Sequence, residues 1–442
     1  VPTRRAFLAT TGLAGVALAG ARALQADAPR LAGDLAAARA ALHRPTGTPD
    51  VVARDEAYWL RVAAQYRVSS AYTNLEAGYF GMMAAPVLAA YHRHIDRVNL
   101  ESSHYARLDW PADQQAARAT VAAFLGASVD EVVITRGATE ALQRLIIQYN
   151  KVRAGDVVMY ADLDYDAMQY AMNALADRTG ATVATLDLPE PASREGILAG
   201  YRTALDAHPK TKLLLLTHLN NKTGLIIPVK DITAMARARG VDVVVDAAHS
   251  FGQIDMTLAD LGADFVGCNL HKWIGAPLGV GAMYIRAGRL GDIDRMLDDE
   301  NGAPDRIDSR LHTGTTNFAT TLTVPAAIAF HEAVGGAYKA ARLRYLRDRW
   351  VQAVRGVDGI DVLTPDDRDL VAGITSFRIH GRTGRAENQA VADELLKRHR
   401  LFVVWRTGLS KGDCVRVTPA LYNAPADCDR LASALKTIAA KG

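Results

Sequence analysis

An open α/β fold with a mainly parallel sheet, joined to a smaller α+β domain, is predicted by three features of the 442-residue chain. Short β-branched or leucine-rich runs alternate with longer amphipathic segments, the order that crossover helices impose on parallel strands. Several of these runs end in polar or small residues, at the strand ends where open sheets place ligand sites. Beyond about residue 340 the rhythm changes to a long arginine-rich helical segment and short strand-like runs, so the last third reads as a separate domain.

The strand-like runs are VVIT at 132–135, DVVMYA at 156–161, TVATL at 182–186, KLLLLTHL at 212–219, DVVVDAA at 242–248, DFVGCNL at 264–270 and VGAMYIR at 280–286. Between them lie helix-like stretches such as 139–150, 231–240 and 324–335. The expected organisation is a large domain over 71–335 and a small one over 336–442 that also takes in the N-terminal arm. Residues 27–70 form that arm, and from Asp27 to Pro49 its Ala, Arg and Pro content predicts a loosely attached helix or linker.

The first 26 residues differ from the rest. Thr3-Arg4-Arg5-Ala6-Phe7-Leu8 precedes a weakly apolar run from Ala9 to Ala19 and then small residues, which resembles a twin-arginine export signal. The run is too short and too rich in Ala and Gly for a membrane span, which needs roughly 20 strongly apolar residues. The expectations are a periplasmic protein, exported folded by the twin-arginine machinery, with no stable membrane association. With 51 basic and 48 acidic residues the charge balance names no polyanionic partner, and nucleic acid is not expected. Three cysteines without CxxC spacing suggest neither a disulfide framework nor a zinc site. The histidines include no HExxH, and His43, His92 and His94 lie away from the residues singled out below, so no metal is expected.

Four segments carry chemistry. Thr135-Arg136-Gly137-Ala138-Thr139 runs from a strand end into a helix, a turn whose free N–H groups suit an anion. Val243-Val244-Val245-Asp246 ends an apolar strand with a carboxylate, which either caps a helix or holds a ring nitrogen protonated. Asn269-Leu270-His271-Lys272-Trp273 places a lysine at the lip of the sheet before a Gly-rich turn, where it can form an imine and move a proton at an α-carbon. Arg416, on a short strand of the small domain, offers a guanidinium fork that fits a carboxylate.

Together with THLNNKTGLIIPV, DAAHSFGQID and VRVTPALYN, in this order, these segments resemble the class V aminotransferase family of fold type I pyridoxal-phosphate enzymes. The resemblance covers roughly Tyr72 to Leu435. Within the family the chain is most similar to isopenicillin N epimerase-like members, and its N-terminus adds similarity to periplasmic enzymes that tailor pyoverdine siderophores. The resemblance implies pyridoxal 5'-phosphate carried on Lys272, with Asp246 on the pyridine nitrogen and Tyr165 over the ring face. It places Ala138, Thr139, Asn269 and His271 at the phosphate, and Asn221 and His249 near the phenolic oxygen. Gly314-Thr315 matches the segment a second subunit lends to the phosphate site, implying a homodimer. Arg416 is expected to take the substrate carboxylate, with Asn74 and Arg107 at the substrate mouth; packing of the N-terminal arm would account for the last two equally well.

The chain departs from the family's cysteine desulfurases. Where those place a persulfide-forming cysteine, the loop after Arg406-Thr407-Gly408 reads Leu409-Ser410-Lys411. The implied activity is transformation of an amino acid, or the amino-acid moiety of a peptide or siderophore-type metabolite, at its α-carbon. Epimerisation, transamination, β-elimination and decarboxylation share the early chemistry and stay open. An isopenicillin N epimerase-like racemase or aminotransferase of a free amino acid is the alternative within enzymes. A non-catalytic periplasmic binding protein is the alternative outside them.

Overall fold

The computed structural model describes residue 40, residues 42–296 and residues 303–441. The export signal expected over 1–26 lies outside them. Seven strands form the central sheet: β2 (Val132–Thr135), β3 (Val157–Ala161), β4 (Thr182–Leu186), β5 (Thr211–Thr217), β6 (Asp242–Asp246), β7 (Phe265–Asn269) and β8 (Gly281–Ile285). Their spatial order is β2-β8-β7-β6-β5-β3-β4. The β3–β4, β3–β5, β5–β6 and β6–β7 pairs are parallel, and β8 runs antiparallel to both β7 and β2. The link from β7 to β8 has no helix, and a strand returning without a crossover must run antiparallel.

The leucine run of β5 shows why the sheet needs cover on both faces. Leu213 and Leu215 pack with Val244, Phe265 and Met283, while Leu214 and Leu216 pack with Val243, Val245 and Val266. This period-two alternation sends every second side chain to the opposite layer. Among the covering helices are α4 (Ala138–Ile147) and α5 (Asp166–Thr179); their buried faces join the layer that holds Leu213 and Leu215.

The small domain carries an antiparallel sheet in the order β12 (Val404–Arg406), β13 (Cys414–Val417), β10 (Thr375–Ile379), β9 (Ile360–Val362). The N-terminal arm joins it: β1 (Thr73–Asn74) pairs in parallel with β11 (Leu401–Phe402), and Glu76 bridges to Thr418. Of the stretch expected to be loosely attached, residues 43–49 are exposed or half-buried, and the arm's firm packing lies at Leu42 and beyond Pro49. Leu42 is fully buried, and α1 (Glu56–Ala63) inserts Tyr58, Trp59 and Val62 into the core. Tyr58 donates to the Val334 carbonyl, and Arg342 pairs with Glu56 at 2.5 Å. Two further helices, α2 (Ala85–Leu108) and α3 (Trp110–Leu125), precede β2, and His92 and His94 lie on α2. Among the described residues no helix is long and apolar enough to cross a membrane, and no cluster of side chains could hold a metal.

Candidate active site

Thr217, Asp246 and Asn269 end the neighbouring strands β5, β6 and β7 at one edge of the sheet, and they line a cavity of about 380 Å³ closed on the far side by Arg406 and Arg416 of the small domain. Ala138, Thr139, Tyr165, Asn221, Asp246, His249, Asn269, His271, Lys272 and Arg416, each expected from the sequence to serve the site, all line it. Asn74, Arg107, Gly314 and Thr315 do not line it within one chain. Asn74 is engaged elsewhere: it donates to Tyr422 Oη at 3.0 Å and accepts from the Glu76 N–H. Arg406 and Thr217 line the cavity without having been singled out.

One end of the cavity is an anion cradle. Gly137, at φ +153°, precedes α4 with no side-chain cap of its own, and the N–H groups of Thr139 and Glu140 in the first turn carry the helix's positive end. Asn269 Oδ1 takes the Ala138 N–H at 2.8 Å. A Cβ on Gly137 would come within 3.2 Å of that same oxygen, which favours glycine there. His271 shares Nδ1 with the Val280 carbonyl at 2.8 Å, which as an acceptor holds the proton on Nδ1.

At the centre, Lys272 Nζ lies 2.8 Å from His249 Nε2, and Trp273 Nε1 donates to His249 Nδ1 at 3.2 Å. An indole N–H can only donate, so His249 Nδ1 is the acceptor and the neutral ring carries its proton on Nε2. That proton points at Lys272, an arrangement that suits its neutral amine and disfavours the ammonium. Burial lowers Lys272 to about 8 and, with the neighbouring cations, holds His249 well below its ordinary value. The His249 N–H favours the neutral amine further. Asp246 is buried beside Lys272, with Oδ1 accepting from the Ala248 N–H at 2.8 Å, and burial raises its pKa.

Two supports hold the walls. Asp164 accepts from the N–H groups of Ala161 and Thr217 at 2.8 and 2.7 Å, tying β3 to β5 next to Tyr165. Lys222, fully enclosed, reaches Asp166 Oδ1 at 2.9 Å, the Asp162 carbonyl at 2.8 Å and the Gly408 carbonyl at 3.2 Å. It therefore joins the start of α5, where Tyr165 stands, to the small-domain loop that follows Arg406.

The cavity fits a flat, polar cofactor with a phosphate arm. Thr217 Oγ1, Asn221 Oδ1 and Arg416 Nε are buried without a partner among the described residues, and all three residues face the cavity. Buried polar atoms are seldom left so in a complete site. The anion cradle, the buried carboxylate of Asp246 and Lys272 line this one cavity.

Comparison with known proteins agrees with this geometry. The family described as Aminotransferase class-V matches residues 85–431, and the chain belongs to it. Its cofactor is pyridoxal phosphate. Among relatives, isopenicillin N epimerase of Amycolatopsis lactamdurans is 28% identical over 408 residues, covering 86% of this chain and 98% of the relative. Putative L-cysteine desulfhydrase 1 of Oryza sativa subsp. japonica is 29% identical, covering 74% of each chain. The fold matches that of a cysteine desulfurase from Thermococcus onnurineus NA1 with a TM-score of 0.73 at 19% identity, covering 90% of this chain and all of that one.

Proposed function

We propose that this protein acts in the periplasm on an amino acid, or on the amino-acid moiety of a peptide or siderophore-type metabolite, and transforms it at the α-carbon. The observation that carries the reading is the Lys272–His249 contact beside Asp246 in one cavity. Bound pyridoxal phosphate supplies an electron sink for a carbanion at the substrate's α-carbon. Lys272 would hold the cofactor and, as a free amine, would take the α-proton. Asp246 keeps a proton on the ring nitrogen. Ala138, Thr139, Asn269 and His271 hold the phosphate, and Asn221 and His249 stand near the phenolic oxygen.

The outcomes open to this chemistry are epimerisation, transamination, β-elimination and decarboxylation. Two relatives, one named as an epimerase and one as a putative desulfhydrase, support two of these for the family. Desulfurase chemistry through a cysteine of this chain is disfavoured, because all three cysteines are buried. Burial pushes the Cys414 thiol up to about 11, and it points at the Lys222 carbonyl. The paired arginines and small-residue run at the N-terminus support export, and the resemblance at Gly314-Thr315 supports a homodimer in which each subunit completes its partner's phosphate site. Absorbance spectra of the cofactor-loaded protein against a panel of amino acids and amino-acid-bearing peptides test the reading. One ligand class should shift the lysine-dependent visible band, and a panel without effect would contradict it.

A further inference from the structure

The charged groups at the inner end of the cavity differ from a lone arginine awaiting a carboxylate. Arg416 is 1% exposed, and its donors are largely committed. Nη2 lies 2.5 Å from Glu76 Oε1, and Nη1 donates to the Asn221 carbonyl at 2.8 Å. The backbone of Gly78 lies against the guanidinium: a Cβ there would come within 2.6 Å of Nη2 and 2.8 Å of Cζ. Glu76 is as firmly placed, with Oε2 accepting from Thr418 Oγ1 at 3.2 Å and its backbone bridged to the same residue. Withdrawing either member would strand a buried charge.

Arg406 stands differently. It ends β12, its side chain is 27% exposed, and Nη2 is 3.7 Å from the same Glu76 oxygen. Its Nε has no partner among the described residues. Two guanidinium groups thus share one carboxylate, which leaves one positive charge in excess on the arginine that solvent can reach. A second anion placed there gains charge-assisted hydrogen bonds without breaking any existing pair.

We infer that Glu76 fills the place on Arg416 that a substrate carboxylate would take, and that Arg406 is the specificity-determining contact for the substrate's carboxylate. Arg416 is then a positioning residue that holds Glu76 and the Asn221 loop. The inference deepens the proposed function and rests on Lys272 carrying the cofactor.

The test uses the cofactor-loaded full chain and two trapping reagents with the same reactive group, aminooxyacetate and O-methylhydroxylamine. Only the first has a carboxylate, so the ratio of their oxime-forming rates reads carboxylate recognition without a known substrate. The ratio should exceed one in the unaltered protein and fall by about tenfold or more in Arg406→Gln, the O-methylhydroxylamine rate staying unchanged. Glu76→Gln should raise the ratio by opening Arg416. A wild-type ratio near one, or an Arg406→Gln ratio equal to wild type, overturns the inference. A lower ratio in Glu76→Gln does the same; if that variant fails to fold, the Arg406→Gln arm decides alone. In the cofactor-free protein, Arg416→Gln should melt several degrees lower and Arg406→Gln should not; equal losses would contradict the division of roles. Absence of a lysine-dependent visible band would sink the cofactor reading itself, and this inference with it.

Discussion

His249 stands between Trp273 and Lys272, taking the indole N–H on Nδ1 at 3.2 Å and lying 2.8 Å from the lysine nitrogen through Nε2. Neighbours in sequence thus act on one ring from opposite sides. Trp273 selects the tautomer, and the tautomer selects the protonation state of Lys272.

Replacing Trp273 by Phe removes that selection while keeping most of the aromatic volume. In the cofactor-free protein the apparent pKa of Lys272 should rise by up to about one unit, the worth of one net hydrogen bond. Lysine labelling rate against pH measures this. Nitrogen-15 spectra of the histidines should show His249 losing its single tautomer. An unchanged titration and spectrum would mean that the indole contact sets neither.

Asp246→Asn should retain the lysine-dependent band yet lose turnover by about 10²–10³-fold, because a neutral amide stabilises a protonated ring nitrogen poorly. Single-turnover proton loss from the α-carbon is the readout. Loss of cofactor binding instead would give Asp246 an anchoring role.

Two buried amines make stability depend on pH in a defined direction. Burial lowers Lys272 to about 8 and Lys339 to about 7. Below those values each must be charged in the folded state, and the penalty is relieved as pH rises toward the ordinary lysine value. The cofactor-free protein should therefore gain stability between about pH 7 and 9, by at most about 1.4 kcal/mol per pH unit for each group. Above pH 9 the cysteines, raised to about 11 and 12, oppose the gain. Lys339 donates to the Trp273 carbonyl and has no acidic partner in the described residues, so Lys339→Met should flatten the slope and raise the melting temperature at pH 7. Denaturant midpoints across this range check both statements.

Native protein should react with none of its thiols. Cys268, Cys414 and Cys428 are at most 2% exposed, so a disulfide reagent should count three thiols only after unfolding. A thiol that reacts rapidly in the folded state would reopen the desulfurase route.

The strand ends were readable because an apolar run that stops at Asp246 or Asn269 carries its own signal. Lys272 and His271 follow from such an end, and Gly137 from the turn after Thr135. Long-range partners carry no such signal. Glu76 and Arg416 lie 340 residues apart, and only the pairing of the N-terminal arm with the small domain joins them. Arg406 ends a short strand before Thr407-Gly408 and shows nothing locally that separates it from a surface charge. Lys339, within the arginine-rich helix Gly336–Val354, reads as solvated until Trp273 is packed against it. The antiparallel course of β8 was legible in principle, since the residues between Asn269 and Gly281 are too few for a helical crossover.

The most direct test of the account is the absorbance spectrum of the protein reconstituted with pyridoxal phosphate, compared with Lys272→Ala prepared in the same way. The account predicts a band near roughly 410–430 nm in the native protein that borohydride fixes onto Lys272, and its absence from the variant. A native protein without the band, or a variant that keeps it, would contradict the assignment of Lys272 and the chemistry built on it.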